Sequence, residues 1–206
     1  MHATTSSSQE ASQNATVITI VSGLPRSGTS VMMQMLAAGG LPVLTDGERR
    51  ADTDNLCGYY EWERIKRLPQ EPNCIDEAEG KALKVVSQLL FALPAGRKYQ
   101  ILFMERPLSE VVASQAEMIR RRGTSGAAMS TAALIAGLQT HLNQVFAWLQ
   151  RKPDISVCRV EYHQVLRNPM SVSKTALRFL HQTLDLESMT KQVDQSLYRC
   201  RTPTST

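Results

Sequence analysis

The stretch TVITIVSGLPRSGTSVMMQML, residues 16–36, decides the fold. Its apolar and β-branched start, over 16–23, is typical of a buried strand that ends at a glycine. Residues 30–38 then carry apolar side chains on one helical face, and Gly39 and Gly40 end that helix. The sequence therefore predicts a strand, a glycine-containing turn and a helix start in direct succession.

The turn resembles a nucleotide-binding loop but departs from it at one position. The loop of ATP and GTP enzymes has the pattern Gly-x-x-x-x-Gly-Lys-Ser/Thr. Gly23 and Gly28 have that spacing, but Thr29 stands where the lysine is required, and Arg26 lies inside the turn. The start of a helix favours anions because its amides are unpaired and its dipole is positive there. The predicted anion-binding residues are Arg26, Ser27, Gly28, Thr29 and Ser30.

The chain also lacks the usual pattern of a magnesium site. In ATP and GTP enzymes a loop hydroxyl and a strand-end aspartate hold the magnesium ion. The apolar strand predicted over 99–106 ends in FMER, and no other strand ends in a clear aspartate. The histidines show no zinc-site spacing. We therefore expect a phosphate-like ligand and no metal, with a degenerate kinase or NTPase loop as the alternative.

The remaining pattern alternates strands with helices. Further strands are predicted over 41–44, within 81–90, and over 99–106 and 154–162. Helices are predicted from Pro107, over 131–150 and over 169–180, and 58–68 is expected to be a short helix or an ordered loop. This alternation is typical of a parallel sheet between helices. The predicted fold class is α/β: a P-loop-like three-layer α/β/α domain with a central parallel sheet of about five strands.

Composition limits the classes of partner. A net charge of +4 over 206 residues suits an anionic ligand but is too weak to indicate nucleic acid. The four cysteines are scattered, so we expect neither disulfides nor a zinc site. Residues 1–15 are polar and rich in Ser and Thr, which favours a disordered tail before one domain over 16–206. No secretion signal precedes it, so a cytoplasmic protein is expected.

One uncharged run raises the question of a membrane span. Residues 123–150 contain no Asp, Glu, Lys or Arg, but amides and other polar side chains interrupt them. We expect a largely buried helix and no membrane partner. Its predicted core stripe consists of Leu134, Leu138, Leu142, Val145 and Leu149.

The segment GLPRSGTS, residues 23–30, resembles the 5′-phosphosulfate loop of the sulfotransferases that use 3′-phosphoadenosine 5′-phosphosulfate (PAPS). In that family a Lys or Arg precedes Ser-Gly-Thr-Thr/Ser, which matches residues 26–30. The Pro-Arg form is similar to the tyrosylprotein sulfotransferases and to many bacterial members. The resemblance implies transfer of a sulfuryl group from PAPS to a hydroxyl of a carbohydrate, small molecule or peptide, with release of 3′-phosphoadenosine 5′-phosphate (PAP).

A second segment has the spacing that the family uses for the 3′-phosphate. There an Arg ends a strand, and a Ser follows eight positions later on the next helix. Arg106 and Ser114 have this spacing. Because eight residues cover about two helical turns, such a serine can face back toward the strand end. The resemblance therefore implies that both residues bind the 3′-phosphate; it covers 16–122, and the remainder in element order only.

The resemblance also implies catalytic roles. Arg26 would neutralise charge on the bridging oxygen, and a base would take the acceptor's proton. The cytosolic members use a third-strand histidine, which KVVSQLL lacks. Members of the tyrosylprotein and carbohydrate types use a glutamate after the loop helix, where LTDGERR offers Glu48 first and Asp46 second. Glu61, in GYYEWE, is the third choice.

Two further sets of residues follow from the same resemblance. Lys84 matches the family's third-strand lysine, and with Glu61 it is expected to face the sulfuryl group or the acceptor. Arg199 and Arg201 could close over the nucleotide phosphate. A non-catalytic PAP-binding protein remains an alternative. The sequence specifies neither the acceptor nor the oligomeric state.

Overall fold

The structure is a computed structural model. It describes residues 17–47, 58–121, 123 and 129–193. The predicted tail over 1–15 and the predicted functional residues Glu48, Arg199 and Arg201 lie outside these ranges.

Five strands form one sheet in which every neighbouring pair is parallel. They are β1 (Ile18–Gly23), β2 (Val43–Leu44), β3 (Ala82–Val86), β4 (Tyr99–Glu105) and β5 (Ile155–Glu161). The order across the sheet is β2-β3-β1-β4-β5. The turn after β1 therefore lies between the carboxyl ends of β3 and β4, where ligands of open parallel sheets bind.

Helices cover both faces of the sheet, which confirms the predicted fold class. They are α1 (Thr29–Ala38), α2 (Leu108–Arg121), α3 (Thr131–Leu149), α4 (Tyr162–Arg167), α5 (Pro169–Leu180) and α6 (Leu186–Lys191). One core contains α1, α4, α5 and α6, and the other contains α3 with three 3-10 segments. Those segments are Glu63–Arg67, Pro72–Ala78 and Ser87–Ala92.

The third strand occupies the first part of the segment predicted to hold it. Within 81–90, β3 ends at Val86 and the chain continues as the 3-10 segment Ser87–Ala92. Leu90 is buried in that segment and packs into the α3-side core. Apolar runs of this length do not distinguish a strand from a buried helical turn, because both place side chains in a core.

The prediction that α3 is largely buried is wrong. Of its predicted core stripe, only Val145 and Leu149 are buried, whereas Leu134, Leu138 and Leu142 are partly exposed. The helix packs mainly against α2 and the 3-10 segment Ser87–Ala92, so its first half receives little cover from the sheet. Among the helices that the structure describes, none is both long and apolar enough to cross a membrane.

Candidate functional site

The turn between β1 and α1 has two residues in the left-handed region. Arg26 has φ of 75° and Gly28 has φ of 100°. A Cβ at Gly28 would collide with the ring of Tyr162, which packs against the turn, so glycine is required there for space as well as for backbone conformation. Among the described residues, no side chain caps the start of α1, and its first turn contains no acidic residue. The positive end of the helix dipole favours an anionic ligand at this position.

The loop hydroxyls differ in their surroundings. Ser27 is buried, and its Oγ has no hydrogen-bond partner among the described residues. Thr29, the first residue of α1, is also buried, whereas Ser30 is partly exposed. A buried hydroxyl without a partner costs free energy. This orphaned group fits a turn that is completed by a ligand or by water.

The turn and α2 are joined by the side chain of Arg26. Its Nε donates to Ser114 Oγ at 3.0 Å, which connects two predicted site residues that are 88 positions apart. Gln115 Nε2 donates to the carbonyl of Pro25 at 3.4 Å from the same helix. The residues expected at the two ends of the nucleotide therefore lie side by side.

Arg106 is held by an ion pair beneath the turn. Its Nη1 donates to the carbonyl of Arg26 at 3.1 Å, and its Nε donates to Glu110 Oε2 at 2.9 Å. The side chains of Arg106 and Glu110 are only 7% and 3% exposed. The guanidinium lies 4.8 Å from the ring centroid of Tyr162, and His163 Nε2 lies 3.1 Å from Glu110 Oε1. Arg106 is thus fixed from three sides, next to the turn.

Sequence reasoning missed Glu110, Tyr162 and His163. Glu110 lies four residues after Arg106, in the first turn of α2, whereas Arg106 stands just before that helix. That spacing could have identified it. Tyr162 and His163 directly follow β5, and residues that follow parallel strands meet at one sheet edge. No motif singled them out.

A second ion pair lies on the β3 side of the turn. Lys84 Nζ donates to Ser30 Oγ at 3.1 Å and to the carbonyl of Tyr59 at 2.8 Å. Glu61 Oε1 lies 3.5 Å from the same ammonium, and the two side chains are 8% and 23% exposed. The structure therefore brings Lys84 and Glu61, both predicted from the sequence, to the loop hydroxyl of Ser30.

Asp46, the second choice for a base, lies at the edge of this group. It is exposed, and its Oδ2 accepts a hydrogen bond from the amide of Glu63. Its own amide donates to the carbonyl of Glu61 at 3.3 Å. Among the described residues, no three His, Cys, Asp or Glu side chains are grouped as a metal ion requires.

A cavity of about 410 Å³ opens beyond the carboxyl ends of β4 and β5. Leu24 and Ser27 of the turn line it, together with Arg106, residues of α3 and Arg159. Arg159 Nη2 lies 2.6 Å from Glu105 Oε1, and its guanidinium lies 4.5 Å from the ring centroid of Phe146. The cavity adjoins the turn on the side away from Lys84, so the site extends across the full width of the turn.

Comparisons with known proteins agree with this arrangement at the level of the fold. No protein-family model and no curated protein matches the chain. Among solved structures, it resembles the sulfotransferase domain of the olefin synthase of Synechococcus PCC 7002, with a TM-score of 0.55 and 16% identity over 94% of this chain and 90% of that domain.

Two other structures are less similar and add nothing to that conclusion. The sulfotransferase domain of the curacin biosynthetic pathway gives a TM-score of 0.48 at 14% identity, over 91% of this chain and 92% of that one. An unliganded sugar kinase from Janibacter sp. HTCC2649 gives 0.43 at 15% identity, over 87% and 96%. The chain has the fold of a sulfotransferase domain.

Proposed function

We propose that the protein transfers a sulfuryl group from PAPS to a hydroxyl group of an acceptor and releases PAP. The observation that carries the proposal is the hydrogen bond from Arg26 to Ser114, next to the contact of Arg106 with the Arg26 carbonyl. These contacts join the residues expected at the phosphosulfate to those expected at the 3′-phosphate. Because both groups of residues meet at one turn, they support a single nucleotide bound there.

The surroundings of the turn fit a ligand that carries several negative charges. Arg26, Lys84 and Arg106 each contribute a positive charge within one hydrogen-bonded region. The start of α1 adds the positive end of the helix dipole. We assign the phosphosulfate to residues 26–30 and Lys84, and the 3′-phosphate to Arg106 and Ser114.

Sulfuryl transfer resembles phosphoryl transfer in its in-line attack and loose transition state. The acceptor oxygen forms a bond to sulfur while the bond from sulfur to the bridging oxygen breaks. The electron pair of that bond remains on the phosphate of PAP. Arg26 and the hydroxyls of Thr29 and Ser30 stabilise this charge, and a carboxylate takes the proton of the acceptor hydroxyl.

Thermal unfolding separates this proposal from a phosphotransferase. We expect PAP to stabilise the protein without magnesium, by about 2.7 kcal/mol at a concentration 100 times its dissociation constant. Arg26→Met should weaken that effect, whereas Arg120→Met, at an exposed arginine of α2, should not. Stabilisation by ATP with magnesium, and none by PAP, would overturn the proposal.

Product formation separates an enzyme from a binding protein. The protein is incubated with radiolabelled PAPS and a panel of carbohydrates, phenols and peptides, and sulfated product is measured. We expect transfer to at least one class of acceptor. Tight binding of PAP without transfer to any acceptor would identify a PAP-binding protein instead.

A further inference from the structure

We propose that Glu61, held in place by Lys84, is the base that takes the proton of the acceptor hydroxyl. This inference rests on the proposed function. The resemblance favours a glutamate directly after the loop helix, at Glu48, but the contacts of the described residues point to a different segment. Glu61 lies on the chain between that region and β3, immediately before the 3-10 segment Glu63–Arg67.

The first argument is the connection from Glu61 to the loop. Lys84 Nζ lies 3.5 Å from Glu61 Oε1 and donates to Ser30 Oγ at 3.1 Å. One buried ammonium therefore links this carboxylate to the loop hydroxyl that we assign to the phosphosulfate. An acceptor hydroxyl that attacks sulfur must approach from beside the loop, so a carboxylate at this distance lies where the proton has to go.

The second argument is that the backbone of this segment is fixed. Tyr60 has a φ of 51°, a left-handed conformation that is costly for a residue with a side chain. The carbonyl of Glu61 accepts hydrogen bonds from Thr45 Oγ1 at 2.9 Å and from the Asp46 amide at 3.3 Å. The carbonyl of Tyr59 accepts from Lys84. The Glu61 side chain therefore starts from an anchored position rather than from a mobile loop.

The third argument is access. The Lys84 side chain is buried, but nearly a quarter of the Glu61 side chain is exposed. A base must meet the acceptor, so a carboxylate that is held by a buried ammonium and is partly exposed suits that role. Asp46 is more exposed, but its Oδ2 is engaged by the amide of Glu63 at the start of the 3-10 segment. That hydrogen bond gives the Asp46 carboxylate a structural role, which is to hold the local backbone.

With Glu61 as the base, each proton and electron pair of the reaction has a place in the site. The proton leaves the acceptor oxygen for the Glu61 carboxylate as that oxygen forms its bond to sulfur. The bond from sulfur to the bridging oxygen breaks, and its electron pair remains on PAP. Lys84 holds the carboxylate and faces the sulfuryl oxygens. Glu61 later releases the proton to water.

The test compares Glu61→Gln with Glu63→Gln, using radiolabelled PAPS and the best acceptor from the panel. Glu63 is two residues away, and its side chain pairs with Lys66 at 2.5 Å, outside the site. We expect Glu61→Gln to lower kcat by about 100-fold or more, since general bases contribute roughly 10²–10⁴. The Kd of PAP should change less than about twofold. Glu63→Gln should match the wild type in both, and Glu61→Asp should recover part of the rate.

The possible results distinguish the inference from the proposed function. Transfer by Glu61→Gln within about threefold of the wild type overturns this inference and leaves the sulfotransferase proposal standing. A wild type that transfers to no acceptor overturns both. If Glu61→Gln behaves like Lys84→Met, with weaker PAP binding and a lower unfolding temperature, Glu61 is only the structural partner of Lys84 and the inference fails.

Discussion

Two ion pairs flank the same turn, one on each neighbour of β1. On the β4 side Arg106 pairs with Glu110 at 2.9 Å, and on the β3 side Lys84 pairs with Glu61 at 3.5 Å. Both cations contact the turn itself, Arg106 at the Arg26 carbonyl and Lys84 at the Ser30 hydroxyl. The carboxylates differ: Glu110 is sealed in the protein and shared with His163, whereas Glu61 is partly open to solvent.

This difference in exposure gives the two ion pairs different roles. A sealed carboxylate fixes the guanidinium that it contacts, because neither charge can be hydrated without disrupting the packing. A carboxylate with one open side orients its ammonium and still meets an external molecule. We therefore interpret Glu110 as a residue that positions Arg106, and Glu61 as a residue that reacts.

The largest expected effect on stability comes from Arg106→Met. This change leaves Glu110 buried without its main cation, and breaking a buried pair costs about 3–5 kcal/mol. Urea unfolding measures the loss. Arg120→Met is the matched control, since Arg120 is exposed and lies on α2, the helix that carries Glu110. A loss below about 1 kcal/mol would show that His163 alone compensates Glu110, and the two pairs would then be less different than we infer.

Lys84→Met should destabilise the protein less. It removes the hydrogen bonds to Ser30 and to the Tyr59 carbonyl, and hydrogen bonds to charged groups contribute about 1.5–3 kcal/mol. Glu61 can turn its carboxylate toward water, so no buried charge remains unpaired. The same urea titration compares the two variants. If Lys84→Met lowers the free energy of unfolding as much as Arg106→Met does, Glu61 is as inaccessible to water as Glu110. The proposed difference between the two ion pairs would then be wrong.

The sequence predicted those parts of this arrangement that depend on neighbours along the chain. The strand, turn and helix over 16–38 follow from apolar periodicity and two glycines, and all are present. Arg106 and Ser114 came from the family resemblance, and their spacing along one strand end and the next helix agrees with it. Lys84 and Glu61 came from the family resemblance, and the structure places them together.

Contacts between distant segments could not be predicted in this way. Tyr162 packs behind Gly28 and Arg106 because β5 lies next to β4, and that order across the sheet is set only by the complete fold. Periodicity likewise identified the apolar stripe of α3 but not what covers it, so Leu134 and Leu138 were wrongly assigned to the core. The sheet order and the cover of a helix are both properties of the whole chain.

Two serines test the two ends of the proposed nucleotide site. Ser114→Ala should weaken PAP binding about tenfold, because a hydrogen bond to a charged group contributes roughly 1.5–3 kcal/mol. It should weaken the binding of adenosine 5′-phosphosulfate, which lacks the 3′-phosphate, much less, because there only the hydrogen bond from Arg26 to Ser114 is lost. Ser30→Ala should weaken both ligands to a similar degree. Titration calorimetry gives the four affinities. If Ser114→Ala weakens the binding of both ligands equally, Ser114 does not bind the 3′-phosphate.

The smallest effect is expected for an ion pair that lacks burial. Glu117 lies on α2 and accepts hydrogen bonds from Arg120 Nε at 2.9 Å and from Arg121 Nε at 2.8 Å. The hydrogen bond from Arg120 is the main cause that lowers the pKa of Glu117 from 4.5 to about 2. Because its pKa is lower in the folded state, its contribution to stability is complete above pH 4.5 and is lost as the pH falls toward 2.

Glu117→Gln should therefore differ from the wild type only slightly at pH 7, since solvent and salt screen an exposed pair. The difference between their urea midpoints should shrink further as the pH falls below 4.5, and it should shrink at pH 7 when salt is added. A loss at Glu117 as large as that of Arg106→Met would mean that hydrogen-bond geometry sets the strength of these pairs. A small loss identifies burial as the reason that Glu110 can fix an arginine while Glu117 cannot.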